Sequence, residues 1–123
     1  MKISSKLIII SILSILIIIL VYKYTTRKFR SPDEARRRID AGLYDIILDV
    51  RTPEEWKEGH HPKATHLPLD RFVADIDKVV PKKDARILIV CRKGIRSRAA
   101  AIMAGDLGYT NVEWVSTLHH GLR

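Results

Sequence analysis

Ile87-Leu88-Ile89-Val90 places four apolar residues in a row, three of them β-branched, and the run stops at Cys91. A strand with one wet face alternates apolar and polar residues. A run that is apolar at every position therefore reads as a strand covered on both faces. Asp45-Ile-Ile-Leu-Asp-Val50 is a second segment of this kind. Covering a sheet on both sides takes helices above and below it, and these serve as crossovers between parallel strands.

The intervening segments read as those helices. Ser31-Pro32-Asp33-Glu34 carries a capping serine, a proline in the first turn and a glutamate three residues after the cap, so a helix through Ala41 is expected, with Gly42 as its stop. Thr52-Pro53-Glu54-Glu55 repeats the signal for a short helix through Trp56 that ends near Gly59. Leu69–Val80 has helical spacing of apolar residues and stops at Pro81. Arg96–Leu107 is an alanine-rich helix closed by Gly108. Ala64–Leu67 and Asn111–Val115 complete a set of four strand candidates.

The N-terminal part is of another kind. Residues 7–22 carry no charge. As a helix these positions span roughly 24 Å, slightly short of the ~30 Å hydrocarbon core of a bilayer. Lys6 and Lys23 can extend their stems to the headgroups, and Tyr22 and Tyr24 sit where interfacial aromatics belong. Apolar on every side, the run does not suit a core helix with one wet face. It is long for the h-region of a signal peptide, and YKYTTRKFR after it offers no pair of small residues for cleavage. The expected organisation is a transmembrane anchor with a basic juxtamembrane segment over 1–30, and a folded domain over 31–123. Basic residues crowd after the anchor: Lys23, Arg27, Lys28, Arg30, then Arg36, Arg37 and Arg38. That excess predicts a single-pass membrane protein with its C-terminal domain in the cytoplasm. A lone cysteine, without a disulfide partner in the chain, suits the same reducing compartment.

The formal charge of +8 is distributed unevenly. Residues 1–30 hold six basic and no acidic residues, which leaves sixteen basic against fourteen acidic in the rest. No basic stripe interleaved with aromatics is present, so nucleic acid is not an expected partner. The excess that remains gathers after Cys91, as Arg92, Lys93, Arg96 and Arg98. A thiol reacts as its thiolate, which nearby cations and helix N-termini favour. Gly94 permits a positive φ, so that successive amides can converge on an anion. A cysteine at a strand end is otherwise a small buried hydrophobe. Ligands of parallel sheets bind beyond the carboxyl ends of the strands, where Cys91 falls.

ILDVRTPEEWKEGHHPKATHLPL followed by ILIVCRKGIRSRAAAIMAGDLGYTNV resembles the rhodanese domain in its single-domain sulfurtransferase form, from about Ser31 onward. The resemblance implies an α/β fold with a central, mostly parallel five-stranded sheet and helices on both faces. It also implies a thiosulfate-type sulfurtransferase in which Cys91 is the nucleophile and carries the transferred sulfur as a persulfide. Arg92, Lys93, Gly94, Ile95, Arg96 and Ser97 would form the loop that binds the donor. Asp49, Arg51 and His60 would have supporting parts, with Arg51 in a network below the loop and His60 orienting backbone. The implied partners are a small anionic donor such as thiosulfate and an acceptor thiol, cyanide or a thioredoxin-like protein. No cofactor is implied.

Arg-Lys-Gly after the cysteine is the pattern of thiosulfate-preferring relatives, and a dianion gains from adjacent cations. Arg96 lies five positions after Cys91. Cysteine phosphatases and arsenate reductases of related fold use one residue more to cradle an oxyanion, so neither activity is expected. His61, His66, His119 and His120 show no metal-ligand spacing, and no metal site is predicted. Two stretches depart from the family pattern: His61-Pro62-Lys63-Ala64, and the end Leu118-His119-His120-Gly121-Leu122-Arg123. The second departure motivates the rival reading, a catalytically silent binding or redox-sensing module tethered to a membrane.

Overall fold

The computed structural model describes residues 2–25 and 27–116. Helix α1 (Ser5–Thr25) is 21 residues long, five more than the uncharged run, so it rises about 31 Å and matches the hydrocarbon thickness. None of its Ser5–Tyr22 window is buried. The two serines within its apolar run donate to carbonyls one turn back, Ser11 to Leu7 at 2.9 Å and Ser14 to Ile10 at 2.8 Å, so neither hydroxyl is left unsatisfied in an apolar setting. The helix is long and apolar enough to cross a membrane, by length and composition.

The rest alternates strand and helix. β1 (Arg27–Arg30) precedes α2 (Pro32–Asp40), β2 (Ile46–Asp49), α3 (Pro53–Lys57), β3 (Ala64–His66), α4 (Leu69–Val79), β4 (Ile87–Val90), α5 (Ile95–Asp106) and β5 (Val112–Val115). All pairings are parallel, in the order β1-β5-β4-β2-β3. The expected elements are present with ends moved by at most three residues.

β1 has no counterpart in the sequence reading. Three of its four residues are basic, and nothing in RKFR marks a strand. Pairing creates it: Phe29 sits opposite Trp114, with ring centroids 4.9 Å apart, and Arg30 donates to Glu113 at 3.0 Å. The basic segment after α1 therefore supplies an edge strand, and only Thr26 separates it from α1.

Both faces of the sheet are covered. On one, Phe72 and Ile76 of α4 and Ala100, Ala101 and Ala104 of α5 pack on Leu48, Ile87, Ile89 and Val112. The alanines let α5 lie close to the sheet. Phe72 is fully buried, so truncating it to alanine would destabilise the domain by about 3–5 kcal/mol. On the other face, Ala35 and Ile39 of α2 meet Ile47, Leu88, Val90 and Val115. The caps read from sequence are in place: the Ser31 hydroxyl accepts from the Glu34 amide, and Thr52 and Glu55 form a reciprocal capping box.

Candidate active site

β4, in the middle of the sheet, delivers Cys91 to the carboxyl end of the strands, and α5 begins four residues later. The turn between them depends on Gly94, whose φ of 90° lies in the left-handed region. A Cβ there would come within 2.8 Å of the Ser116 Cα, so backbone from the end of β5 closes on the loop from one side.

That turn directs amides at sulfur. The Gly94 N–H donates to Cys91 Sγ at 3.0 Å, and the Ser97 N–H at 3.3 Å. The Ser97 Oγ lies 3.2 Å from Sγ and accepts from the thiol. The hydroxyl is positioned from below by the carbonyls of Val115 at 2.9 Å and Gly94 at 3.1 Å. It has one proton to give, so ionisation of the thiol allows the hydroxyl to turn its donor toward sulfur. The group stabilised here is a single atom bearing negative charge, held by converging N–H dipoles.

The cations are arranged differently from the sequence reading, which places all four about the thiol. Arg96 instead makes a two-pronged pair with Glu55, at 2.5 and 3.0 Å. Arg92 donates to Glu58 at 3.0 Å and lies 3.4 Å from Glu55, outside hydrogen-bonding geometry for that second contact. The Arg96 guanidinium holds the Glu55 carboxyl down at about 2, and Glu55 in turn raises Arg96. Both glutamates come from α3 and its C-cap, 34 to 41 residues from the loop. Sequence explains Glu55 as the third residue of a capping box and offers no signal for this second role. Lys93, Ile95 and Arg98 point to solvent, and neither Lys93 nor Arg98 has an acidic partner among the described residues. Cys91 itself is fully buried, a second departure from the open mouth implied by its position.

Asp49 pairs with Val90 across β2 and β4, Arg51 follows β2, and His60 lies beyond α3. Arg51 grips the Asp49 carboxylate with Nε at 3.0 Å and Nη2 at 2.8 Å, in a buried pair. It also donates to the carbonyls of Gly59, at 2.7 Å, and Glu55, at 3.4 Å. Its guanidinium partners are all on β2 and the α3 segment, and its carbonyl accepts from His66 Nε2 of β3 at 2.7 Å. Any effect on the loop therefore passes through the placement of Glu55 rather than a network directly beneath the cysteine. His60 Nδ1–H donates to the Trp56 carbonyl at 2.9 Å, and the ring stacks on the Trp56 indole, with centroids 3.3 Å apart. His66 stacks on the same indole at 4.7 Å. His119 and His120, with the rest of the atypical terminus, lie outside the described residues. A groove of about 550 Å³ opens on the Arg96 side, between Thr52, Pro53, Glu54 and Leu69.

The Rhodanese-like domain matches residues 31–121. The chain belongs to the rhodanese family. Thiosulfate sulfurtransferase PspE of Escherichia coli is 33% identical over 66 residues, 54% of this chain and 64% of that protein. Thiosulfate sulfurtransferase GlpE of Pseudomonas entomophila is 34% identical over 82 residues, 67% of this chain and 72% of that protein. A solved E. coli structure described as a rhodanese with anions superposes with a TM-score of 0.57 at 32% identity, over 59% of this chain and 86% of that one. The chain thus spans just under two thirds of PspE, and only 20% of a tRNA uridine(34) hydroxylase from Cronobacter sakazakii that is 31% identical. Family membership supports a sulfurtransferase kind of activity, with a sulfur donor and a thiol acceptor in general terms.

Proposed function

We propose that the domain is a thiosulfate-type sulfurtransferase working through a Cys91 persulfide. The observation that carries this reading is the pair of N–H groups, from Gly94 and Ser97, aimed at one sulfur. The Cys91 thiolate attacks the outer sulfur of thiosulfate. An S–S bond forms, the bond to the sulfonate sulfur breaks, and sulfite leaves with its electron pair. The Cys–S–S⁻ persulfide is then held at its Sγ by the Gly94 and Ser97 dipoles, electrostatic stabilisation of the oxyanion-hole type. Cyanide or an acceptor thiolate attacks that sulfur, and the bonding pair returns to Cys91. Splitting the transfer in two is covalent catalysis with ping-pong kinetics. Arg92 and Arg96 supply cations for a dianionic donor once Glu55 and Glu58 yield.

Full-length chain in detergent, incubated with thiosulfate, is expected to gain one sulfur atom on Cys91 by intact mass, and to form thiocyanate when cyanide follows. Cys91→Ser would abolish both. A wild-type chain that gains no sulfur would overturn the reading.

The second reading, a silent binding or redox-sensing module, draws on the complete burial of Cys91 and the neutralisation of Arg92 and Arg96. Undiminished biological activity of Cys91→Ser would select it.

We further propose that α1 is retained as a single-pass anchor with the domain in the cytoplasm. The balanced length of the helix and the basic residues after it support this. Protease added to sealed right-side-out vesicles would leave the domain intact. Release of a chain shortened by its first ~25 residues would instead identify a signal peptide.

A further inference from the structure

Helix α5 is apolar on two faces. Ser97, Ala100, Ala101 and Ala104 are buried toward the sheet. Ile95, Ala99 and Ile102, spaced one turn apart, form a second stripe that the core does not use. With Trp114 of β5 they line a groove of about 490 Å³. Ile95 is 77% exposed, and Phe29, stacked on Trp114 from the edge strand, is 52% exposed. Ile95, Ile102, Trp114 and Phe29 thus form a surface running from the cysteine loop to the sheet edge, and surfaces of this kind mark interaction sites.

Two further observations say what meets it. Among the described residues, Lys93 and Arg98 stand on the groove, exposed and without an acidic partner, and no acidic residue lines it. The loop's charge is therefore sorted: Arg92 and Arg96 are paired with carboxylates, while Lys93 and Arg98 are left to face outward over apolar surface. The tether is also short. α1 ends at Thr25 and β1 starts at Arg27, so Phe29 lies four residues beyond the helix, at most about 14 Å along extended chain. An apolar patch carrying aromatic rings and flanking cations suits a headgroup layer with anionic lipids.

We propose that the face formed by α5, β5 and β1 rests on the anionic leaflet from which α1 emerges, with Trp114, Phe29, Ile95 and Ile102 in the interfacial layer and Lys93 and Arg98 on lipid phosphates. The proposal rests on α1 spanning the membrane. It places the cysteine loop at headgroup level rather than free above the surface.

The test uses the full chain reconstituted in vesicles of phosphatidylcholine, with or without phosphatidylserine. Of the two tryptophans, Trp56→Phe leaves Trp114 as the sole reporter. Phospholipids brominated near the top of the acyl chain are expected to quench Trp114 by about twofold in anionic vesicles. Quenching should fall away in Arg98→Glu/Ile102→Glu while the chain still resists carbonate extraction. Carbonate-resistant chain with unquenched Trp114 would overturn the docking and leave the anchor standing. Chain extracted by carbonate would overturn both. Unquenched Trp114 together with crosslinking between two chains would assign the face to a second copy, and unquenched Trp114 that becomes protected when a soluble acceptor protein is added would assign it to that partner.

Discussion

Glu55 clasps Arg96 with both carboxylate oxygens, across 41 residues of sequence, and so ties the short helix α3 to the first turn of α5. The same carboxylate also closes the capping box of its own helix through the Thr52 amide. One side chain thus shapes α3 and pairs with a cation of the cysteine loop. Glu55→Gln keeps an acceptor for Thr52 and gives up the charge. The expected result is a loss of about 1 kcal/mol in unfolding free energy, since the pair is partly exposed. The freed Arg96 should lower KM for thiosulfate severalfold, read from thiocyanate formation. A higher KM would show that Arg96 serves the donor only as Glu55 positions it.

The pH dependence of that tie has a definite sign. Arg96 holds the Glu55 carboxyl at about 2, below its ordinary value of 4.5. A group depressed on folding stabilises fully above its unfolded value and loses that contribution as pH falls toward the folded one. The difference in unfolding free energy between wild type and Glu55→Gln should be constant from pH 7 to about 5. It should shrink below about 4.5 and vanish near 2. Chemical denaturation across that range measures it.

Gly94→Ala tests the turn. The residue sits at φ 90°, and its added Cβ would meet Ser116 backbone at 2.8 Å. Left-handed strain together with the clash should destabilise the domain by about 2 kcal/mol, lowering its melting temperature by ~10 °C. Because the Gly94 N–H is one of two donors to Cys91 Sγ, sulfur loading should fall well beyond what the residual folded fraction explains. Intact mass at a temperature where the variant remains folded separates the two effects.

Asp49 and Arg51 form a buried pair, with side-chain exposures of 0% and 7%. Asp49→Asn strands a buried guanidinium and should cost about 3–5 kcal/mol. The double variant Asp49→Leu/Arg51→Met should be less damaging than the single one, because no uncompensated charge remains. Urea unfolding of the three chains checks the order.

Much of this arrangement is legible without coordinates. Ile87–Val90 and Ile46–Leu48 announce strands buried on both faces, because a chain cannot leave unbroken apolar runs facing water. Ser31 and Thr52 announce helix starts through side chains that satisfy amides two or three residues away, which is local chemistry. Gly94 announces a turn of positive φ three residues after the only cysteine. Each signal concerns atoms close in sequence.

What the sequence withheld depends on partners far along the chain. RKFR becomes a strand because Val112–Val115 offers free backbone groups and Glu113 offers a carboxylate to Arg30. The loop cations looked alike in sequence, yet packing gave Arg92 and Arg96 to glutamates on α3 and left Lys93 and Arg98 at the surface. Sequence by itself determined the parallel α/β core, the apolar N-terminal helix and the thiol's position at a strand end, because local hydrogen bonding and hydrophobic periodicity act within a few residues. Tertiary structure decided which charges remain available around that thiol, because an ion pair forms between whichever opposite charges the folded backbone brings within about 4 Å.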